Sequence, residues 1–165
     1  MKHSEAGAAP ALAGAAFEDV YLRTYGHLMA VAVATVRDRD LAEDLVQDTY
    51  AQLWVHWATV SQPQAWLRRA VVNNCLSALR TQRRRDAILR RHSRVSTPVT
   101  AAESEFLDLL SGLNARQRIA ITLRYVEDLS EAEIALALGC RPGTVKSTLH
   151  RAIATLRIRM ERRGS

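Results

Sequence analysis

Leu-Ser-Glu-Ala-Glu-Ile-Ala-Leu-Ala-Leu-Gly-Cys-Arg-Pro-Gly-Thr-Val-Lys-Ser-Thr-Leu-His-Arg, residues 129–151, is the stretch whose reading decides the fold. Ser130 stands three residues before Glu133, the spacing of a capping box in which hydroxyl and carboxylate each satisfy an orphan backbone N–H. The spacing predicts a helix beginning at Ser130. Ile134 and Leu138, with the small Ala135 and Ala137, carry it to Gly139, which is free to take the left-handed conformation that ends helices. After a turn of Gly139, Cys140 and Arg141, Pro142 falls at the first residue of a second helix, where its missing N–H costs nothing. Two short helices joined by a three-residue, glycine-containing turn are a helix-turn-helix.

Ile134, Leu138, Val145 and Leu149 have the spacing to share one apolar interface between these helices. The second helix then turns Thr144, Lys146, Ser147, His150 and Arg151 outward near its N-terminal half. In a DNA-binding helix-turn-helix that portion lies in the major groove, where Lys and Arg donate to guanine acceptors and Ser or Thr reach bases or phosphates. The competing reading is a helical hairpin with a solvated outer face. It accounts less well for capping box, glycine turn, proline start and basic face occurring together. Lys146 and Arg151 each remain open between base readout and phosphate contact.

Working outward, 165 residues leave room for one ordinary domain or two small ones, each marginal alone. Cys75 and Cys140 lie too far apart for a metal or redox motif, so buried free thiols in a reducing cytosol are expected. No metal site and no cofactor is expected. No run approaches the roughly 20 apolar residues needed to cross a bilayer, so membrane insertion is not expected and a cytoplasmic location is.

The net charge of +6 is unevenly spread. Residues 17–57 hold seven acids against three bases, and residues 66–94 hold nine bases against one acid. The alternation repeats, with seven acids to three bases over 103–140 and seven bases to one acid over 141–163. Two basic surfaces on separate segments suggest two contacts with one polyanion. Arginine abundance by itself is weak evidence, because 21 Arg against two Lys is a bias that coding preference can produce.

Residues 1–16 read as a disordered tail on composition. From Phe17, helical spacing runs through Val20, Tyr21, Leu28, Met29, Ala32, Val33 and Val36, with Gly26 a candidate break between two helices. Asp40 as cap, with Glu43, opens a helix to about Trp57. On it Leu41, Leu45, Val46, Thr49, Leu53 and Trp57 face inward, while Asp44, Gln47, Asp48 and Gln52 form a polar stripe. From spacing alone a solvated face is favoured for that stripe, although its charge also suits a basic protein partner. Ala58 to Gln64 is a short polar loop, with Pro63 starting a helix to about Arg80. Its Leu67, Ala70, Val71, Cys75, Ala78 and Leu79 line a core. Trp54 and Trp57 read as core; Trp66, at the loop-helix junction beside Arg69, is evenly balanced between core and a base-stacking role. Thr81 to about Ala102 reads as a mobile basic linker containing Arg83, Arg84, Arg85, Arg90, Arg91 and Arg94. Helical spacing resumes at Phe106, Leu109, Leu110 and Leu113, and Asn114 with Gln117 makes a further capping box before Ile119. The expectation is an all-α protein: a tail (1–16), a first helical domain (17–85), a flexible basic linker (86–104) and a second domain (105–160) containing the helix-turn-helix.

Leu-Ala-Glu-Asp-Leu-Val-Gln-Asp-Thr-Tyr (41–50), Ala-Trp-Leu-Arg-Arg-Ala-Val-Val-Asn (65–73), Leu-Ser-Glu-Ala-Glu-Ile-Ala (129–135) and Gly-Thr-Val-Lys-Ser (143–147) together resemble bacterial sigma factors of the extracytoplasmic-function group. The resemblance covers about residues 17–85 and 105–160. It implies a non-enzymatic promoter-specificity subunit of RNA polymerase. The polymerase clamp would be held through Asp44, Gln47 and Asp48. The upstream edge of the melted minus-ten element would be met by the loop Ala58 to Gln64 with Trp66, Arg69 and Asn73, capture of an unstacked base helping to hold the duplex open. The second domain would read the minus-35 element through Lys146, Ser147, His150 and Arg151 and would touch the polymerase flap. The linker would thread toward the RNA exit path. Arg141 stands where the family commonly has a helix cap such as Ser, which favours a phosphate contact over capping. Regulation by an anti-sigma protein is common in the group, but no residue identifies one here.

A stand-alone helix-turn-helix regulator is the alternative. It needs a dimer interface to set half-site spacing, and the sequence offers no added dimerisation helix. An enzyme is the weaker alternative: Asp44 and Asp48 sit on an open face without His, Cys or a Gly-rich loop to complete a site.

Overall fold

The computed structural model of the chain describes residues 8–89 and 100–163. Among the described residues there are seven helices and no strand: α1 (Ala8–Val36), α2 (Arg39–His56), α3 (Pro63–Leu89), α4 (Ala101–Leu109), α5 (Ala115–Tyr125), α6 (Glu131–Leu138) and α7 (Pro142–Arg163). A single 3₁₀ turn, Trp57–Thr59, follows α2. The all-α class is as the periodicity predicts.

In the first half, α1, α2 and α3 pack on one another. Leu28, Val31, Val46, Leu53, Leu67, Val71 and Val72 are almost wholly buried between them. Asn74 on α3 donates to the Thr49 hydroxyl on α2 at 3.0 Å, so this amide has a partner across the seam. Phe17 is set edge-on to Tyr50, Trp54 and Trp57, the arrangement that brings a ring's positive edge to its neighbour's π face. The Tyr50 hydroxyl lies 2.6 Å from the Thr24 hydroxyl, and burial pushes its pKa up to about 12.

Several boundaries differ from the sequence expectation for identifiable reasons. Helix α1 passes through Gly26 without a break. The roughly 1 kcal/mol that glycine costs in a helix interior is outweighed by the buried faces on either side, Val20 before it and Leu28 to Val36 after it. It also begins at Ala8, inside the stretch expected to be a disordered tail, because an alanine-rich segment continues a helix at almost no cost. The cap of α2 is Asp38, whose carboxylate accepts from the Leu41 N–H at 3.0 Å; Asp40 is an acid of the first turn. Helix α3 runs nine residues past Arg80, since arginine and glutamine are good helix formers. Arg83, Arg84 and Arg85 are therefore helical; Arg90, Arg91 and Arg94 lie outside the described residues. Trp54, expected in the core, is 53% exposed.

The second half is built as its local signals require. Asn114 and Gln117 form a reciprocal capping box at the start of α5, and Ser130 and Glu133 form another at α6. Gly139 ends α6 at φ +61°, and Pro142 opens α7. Ile134, Leu138, Val145 and Leu149 are buried together as the spacing predicts.

The two halves are packed against each other, α5 on α1 and α6 on α3, and their buried apolar residues form one contiguous cluster. The polar part of the seam centres on Arg118 of α5. Its guanidinium donates to the carbonyls of Ala34 (2.6 Å) and Thr35 (2.7 Å) at the end of α1, and to Leu113 (2.6 Å) in its own half. The last carbonyls of a helix lack intrahelical partners, so the cation meets an otherwise orphaned, partly negative site. Burial, then the nearby Arg37 and Arg83, lowers the Arg118 pKa to about 10, which leaves it charged near neutrality. Arg68 pairs with Glu127 at 2.7 Å, with the Glu127 side chain only 4% exposed, and Arg39 pairs with Glu103 at 2.9 Å in a more open setting. Bonds to a charged group contribute about 1.5–3 kcal/mol when sheltered, against ~0–1 kcal/mol for an exposed pair, so Arg118 and Arg68 dominate this seam.

Two outcomes are expected. Gly139→Ala should destabilise the protein by about 1 kcal/mol in urea unfolding, because alanine must hold the left-handed conformation although nothing lies within 4 Å of its added Cβ. Both cysteines are free: Cys75 is buried, its thiol pushed up to about 12, and Cys140 is partly exposed in the turn. An aromatic disulfide reagent at pH 8 should therefore label Cys140 in the native protein and reach Cys75 only after denaturant is added.

Candidate nucleic-acid interface

The recognition helix is positioned from both ends of the turn before it. The Ser130 hydroxyl accepts from the Glu133 N–H at 3.3 Å, and Glu133 accepts from the Ser130 N–H at 2.9 Å and from its hydroxyl at 2.7 Å. Those donors, the Ser130 backbone first, hold the Glu133 carboxyl below its usual range. Its share of helix stability is present above the unfolded carboxyl pKa and is lost as pH falls through the lower folded value. At the turn, the Cys140 N–H donates to the Ala135 carbonyl at 3.0 Å, and the Arg141 carbonyl accepts from Thr144 at 2.9 Å and Val145 at 3.3 Å. Arg141 is thus the residue before α7, and its side chain is exposed.

On α7, Val145, Leu149 and Ala152 are buried, fixing which face turns away from the protein. Thr144, Lys146, His150 and Arg151 are exposed and Ser147 is half-buried. Thr144, Ser147 and Arg151 follow one stripe at three- and four-residue steps, and Lys146 and His150 a second beside it. The Ser147 hydroxyl donates to the Thr144 carbonyl at 3.0 Å, so toward any further partner its oxygen serves as an acceptor. The sequence-predicted reading residues are brought together on one helix face.

A second surface lies on the other half. Trp66, Arg69 and Asn73 share one face of α3 at three- and four-residue steps; Trp66 is half-buried, Arg69 and Asn73 exposed. They border an open cleft of about 640 Å³ whose walls include His56, Val60, Trp66, Arg69 and Leu136. The His56 and Trp66 rings are 6.4 Å apart and tilted by 48°. A flat aromatic wall beside an arginine is suited to a nucleobase, through stacking on one and charge attraction from the other. Sequence reasoning missed His56 and Leu136. His56 gave only a ring near a loop as its signal, and Leu136 belongs to the helix-turn-helix, distant in sequence.

Asp44, Gln47 and Asp48 are exposed on α2, and the Gln47 amide donates to the Tyr21 hydroxyl at 3.3 Å. The stripe adjoins an open groove of about 730 Å³ between α2 and α3, whose walls include Leu41, Leu45, Asp48, Gln52, Ala78 and Arg85. In the second half, a groove of about 560 Å³ between α4, α5 and α7 is lined by Phe106, Leu109, Ile121, Tyr125, Leu156 and Met160. Leu109, Tyr125 and Met160 are 39%, 65% and 63% exposed, an apolar patch the sequence reading did not single out. Among the described residues no three His, Cys, Asp or Glu side chains are grouped to hold a metal ion, and no helix is long and apolar enough to cross a membrane.

Comparison with known proteins accounts for both halves. Residues 20–85 match the family model Sigma-70 region 2, and residues 103–156 match Sigma-70, region 4. RNA polymerase sigma-E factor of Streptomyces coelicolor is 34% identical over 149 residues, covering 86% of this chain and 84% of that protein. ECF RNA polymerase sigma factor SigL of Mycobacterium tuberculosis is 34% identical over 149 residues, covering 83% and 84%. Among solved structures, the sigma factor RpoE from Bartonella quintana, crystallised with the anti-sigma factor NepR, superposes with a TM-score of 0.79 at 29% identity, covering 88% of this chain and 96% of that one. With both sigma regions in order, each carrying its basic surface, the chain belongs to the extracytoplasmic-function group of the sigma-70 family and directs transcription initiation at promoters.

Proposed function

We propose that the two basic surfaces divide promoter recognition between them. Arg141, Thr144, Lys146, Ser147, His150 and Arg151 meet the minus-35 element in the major groove. Trp66, Arg69 and Asn73, with the cleft beside them, take the minus-ten element as it opens. The observation that carries this reading is the difference in shape between the two surfaces. The α7 face is convex and polar, as duplex readout requires, whereas the α3 cleft is concave and ring-lined, as an unstacked base requires. Placing a base there offsets the few kcal/mol that unstacking costs, which is how a protein without catalytic groups favours the melted strand.

Polymerase is held at two further places in the same reading. The clamp takes the Asp44, Gln47 and Asp48 stripe, and the flap lays an apolar helix into the groove of Phe106, Tyr125 and Met160. Bond formation remains the polymerase's; this chain supplies specificity and acts in the cytoplasm, where polymerase and chromosome are. An anti-sigma protein is a further partner in this reading, supported by the NepR complex of the RpoE neighbour. A regulator acting without polymerase accounts for α7 but leaves the α3 cleft and the acidic stripe without a role.

Wild-type protein should co-elute with sigma-free bacterial core polymerase, and Asp44→Arg with Asp48→Arg should abolish co-elution while leaving the melting temperature within about 2 °C, since both side chains are exposed. Wild type that ignores core yet holds specific duplex alone would replace this reading with the stand-alone regulator. On a selected minus-35 duplex, Lys146→Ala should alter base preference, whereas Arg141→Ala should weaken all sequences equally and lower the salt slope by about 1.

A further inference from the structure

Two adjoining cavities open where α1, the start of α3 and α6 meet, next to the α3 cleft. The smaller, about 180 Å³, is walled by Thr24, His27, Gln64, Arg68 and Glu127. The larger, about 420 Å³, runs past Gln62 and Pro63 to Glu133, Leu136 and Ala137. Arg23, Gln64 and Arg68 border both. Together they fall within the ~300–1,000 Å³ of small-molecule sites, which occur preferentially at the interfaces of domains.

The polar groups around this space are fixed in place, yet part of their bonding capacity is unused. Arg68 donates through Nε to Glu127 at 2.7 Å, and among the described residues its two Nη groups make no hydrogen bond. The Gln64 amide and the His27 ring likewise have no partner among the described residues. Glu133 uses Oε2 for the Ser130 N–H and hydroxyl, and its Oε1 accepts nothing among the described residues. Arg68 is held by a carboxylate whose side chain is 4% exposed, and Glu133 by the capping box, so neither loses much freedom when a ligand arrives. After the Ser130 donors, the charge of Arg68 also lowers the Glu133 carboxyl, which sets cation and anion in reach of each other's field.

The balance of charge selects the kind of ligand. Arg23 and Arg68 stand against Glu127 and Glu133 in the lining, two cations to two anions. A free phosphate or a simple amine would be attracted by one end and repelled by the other. A molecule that carries both charges a few ångströms apart is matched at each. Between the charged ends Val20, Pro63, Leu136 and Ala137 supply an apolar wall. Arg23 is paired with Asp19 on its own helix, an exposed pair that a ligand carboxylate can join at little cost.

We propose that this space binds an amino-acid zwitterion with an apolar side chain. The carboxylate lies on the Arg68 Nη groups with Arg23 and Gln64 beside it, the ammonium on Glu133 Oε1, and the side chain against Val20, Pro63 and Leu136. Neither the promoter reading nor the polymerase contacts are needed for this site. Its walls come from both sigma regions, so occupancy gives a promoter-specificity subunit a direct response to a small metabolite.

Isothermal titration of the full chain with L-leucine and L-phenylalanine, alongside thermal melting, tests this. At least one should bind as one molecule per chain and raise the melting temperature by about 2–4 °C near saturation. Isocaproate, which is leucine without its ammonium, and isoamylamine, which is leucine without its carboxylate, should each bind roughly tenfold or more weakly than leucine. Glu133→Gln keeps the capping box, because glutamine serves at that position, and Arg68→Lys keeps a cation facing Glu127 while removing the forked donors. Each should weaken amino-acid binding roughly tenfold, with circular dichroism verifying that the helices persist. No binding of either amino acid at millimolar concentration, equal binding of a singly charged analogue, or unchanged binding by either variant would each overturn the proposal.

Discussion

The arrangement of the two halves depends on one part-buried cation. Arg118 reaches from α5 to the last turn of α1 and takes the Ala34 and Thr35 carbonyls, groups that a helix end leaves without partners. Its third bond, to Leu113, fixes it against its own half, so the guanidinium acts as a rigid bracket and not as a mobile surface charge. With α5 set against the end of α1, α6 lies against α3 and Glu127 sits beside Arg68.

This dependence explains what the sequence made legible. The helix-turn-helix was readable because each of its signals is local: a serine three before a glutamate, a glycine at the left-handed position, a proline one residue into the next helix. The Asn114 and Gln117 box was readable for the same reason. The α2 cap was misplaced because Asp38 and Asp40 are both plausible acceptors two residues apart, and only backbone geometry separates them. The end of α3 was misplaced because a run of arginines is as suited to a helix as to a linker. The Arg118 bracket had no local signature, since its partners across the seam are carbonyls more than 80 residues away and any residue type supplies a carbonyl.

The candidate sites divide along the same line. Lys146, His150 and Arg151 were found from helical periodicity, because a single helix defines their face. Trp66, Arg69 and Asn73 were likewise placed by one helix, but the cleft they border needs His56 from α2 and Leu136 from α6. The groove of Phe106, Tyr125 and Met160 is assembled from three helices, so its apolar residues read in sequence as ordinary core positions.

The short connection between Leu89 and Thr100 has a thermodynamic consequence for the two domains it joins. A tether of this length keeps their facing surfaces at an effective concentration of order millimolar. An interface weak enough to show a dissociation constant of ~100 µM between separate molecules would then be closed about ten times in eleven. A seam of three charged clasps, two of whose carboxylates keep one oxygen without a hydrogen-bond partner, is sufficient to hold the halves together under those terms.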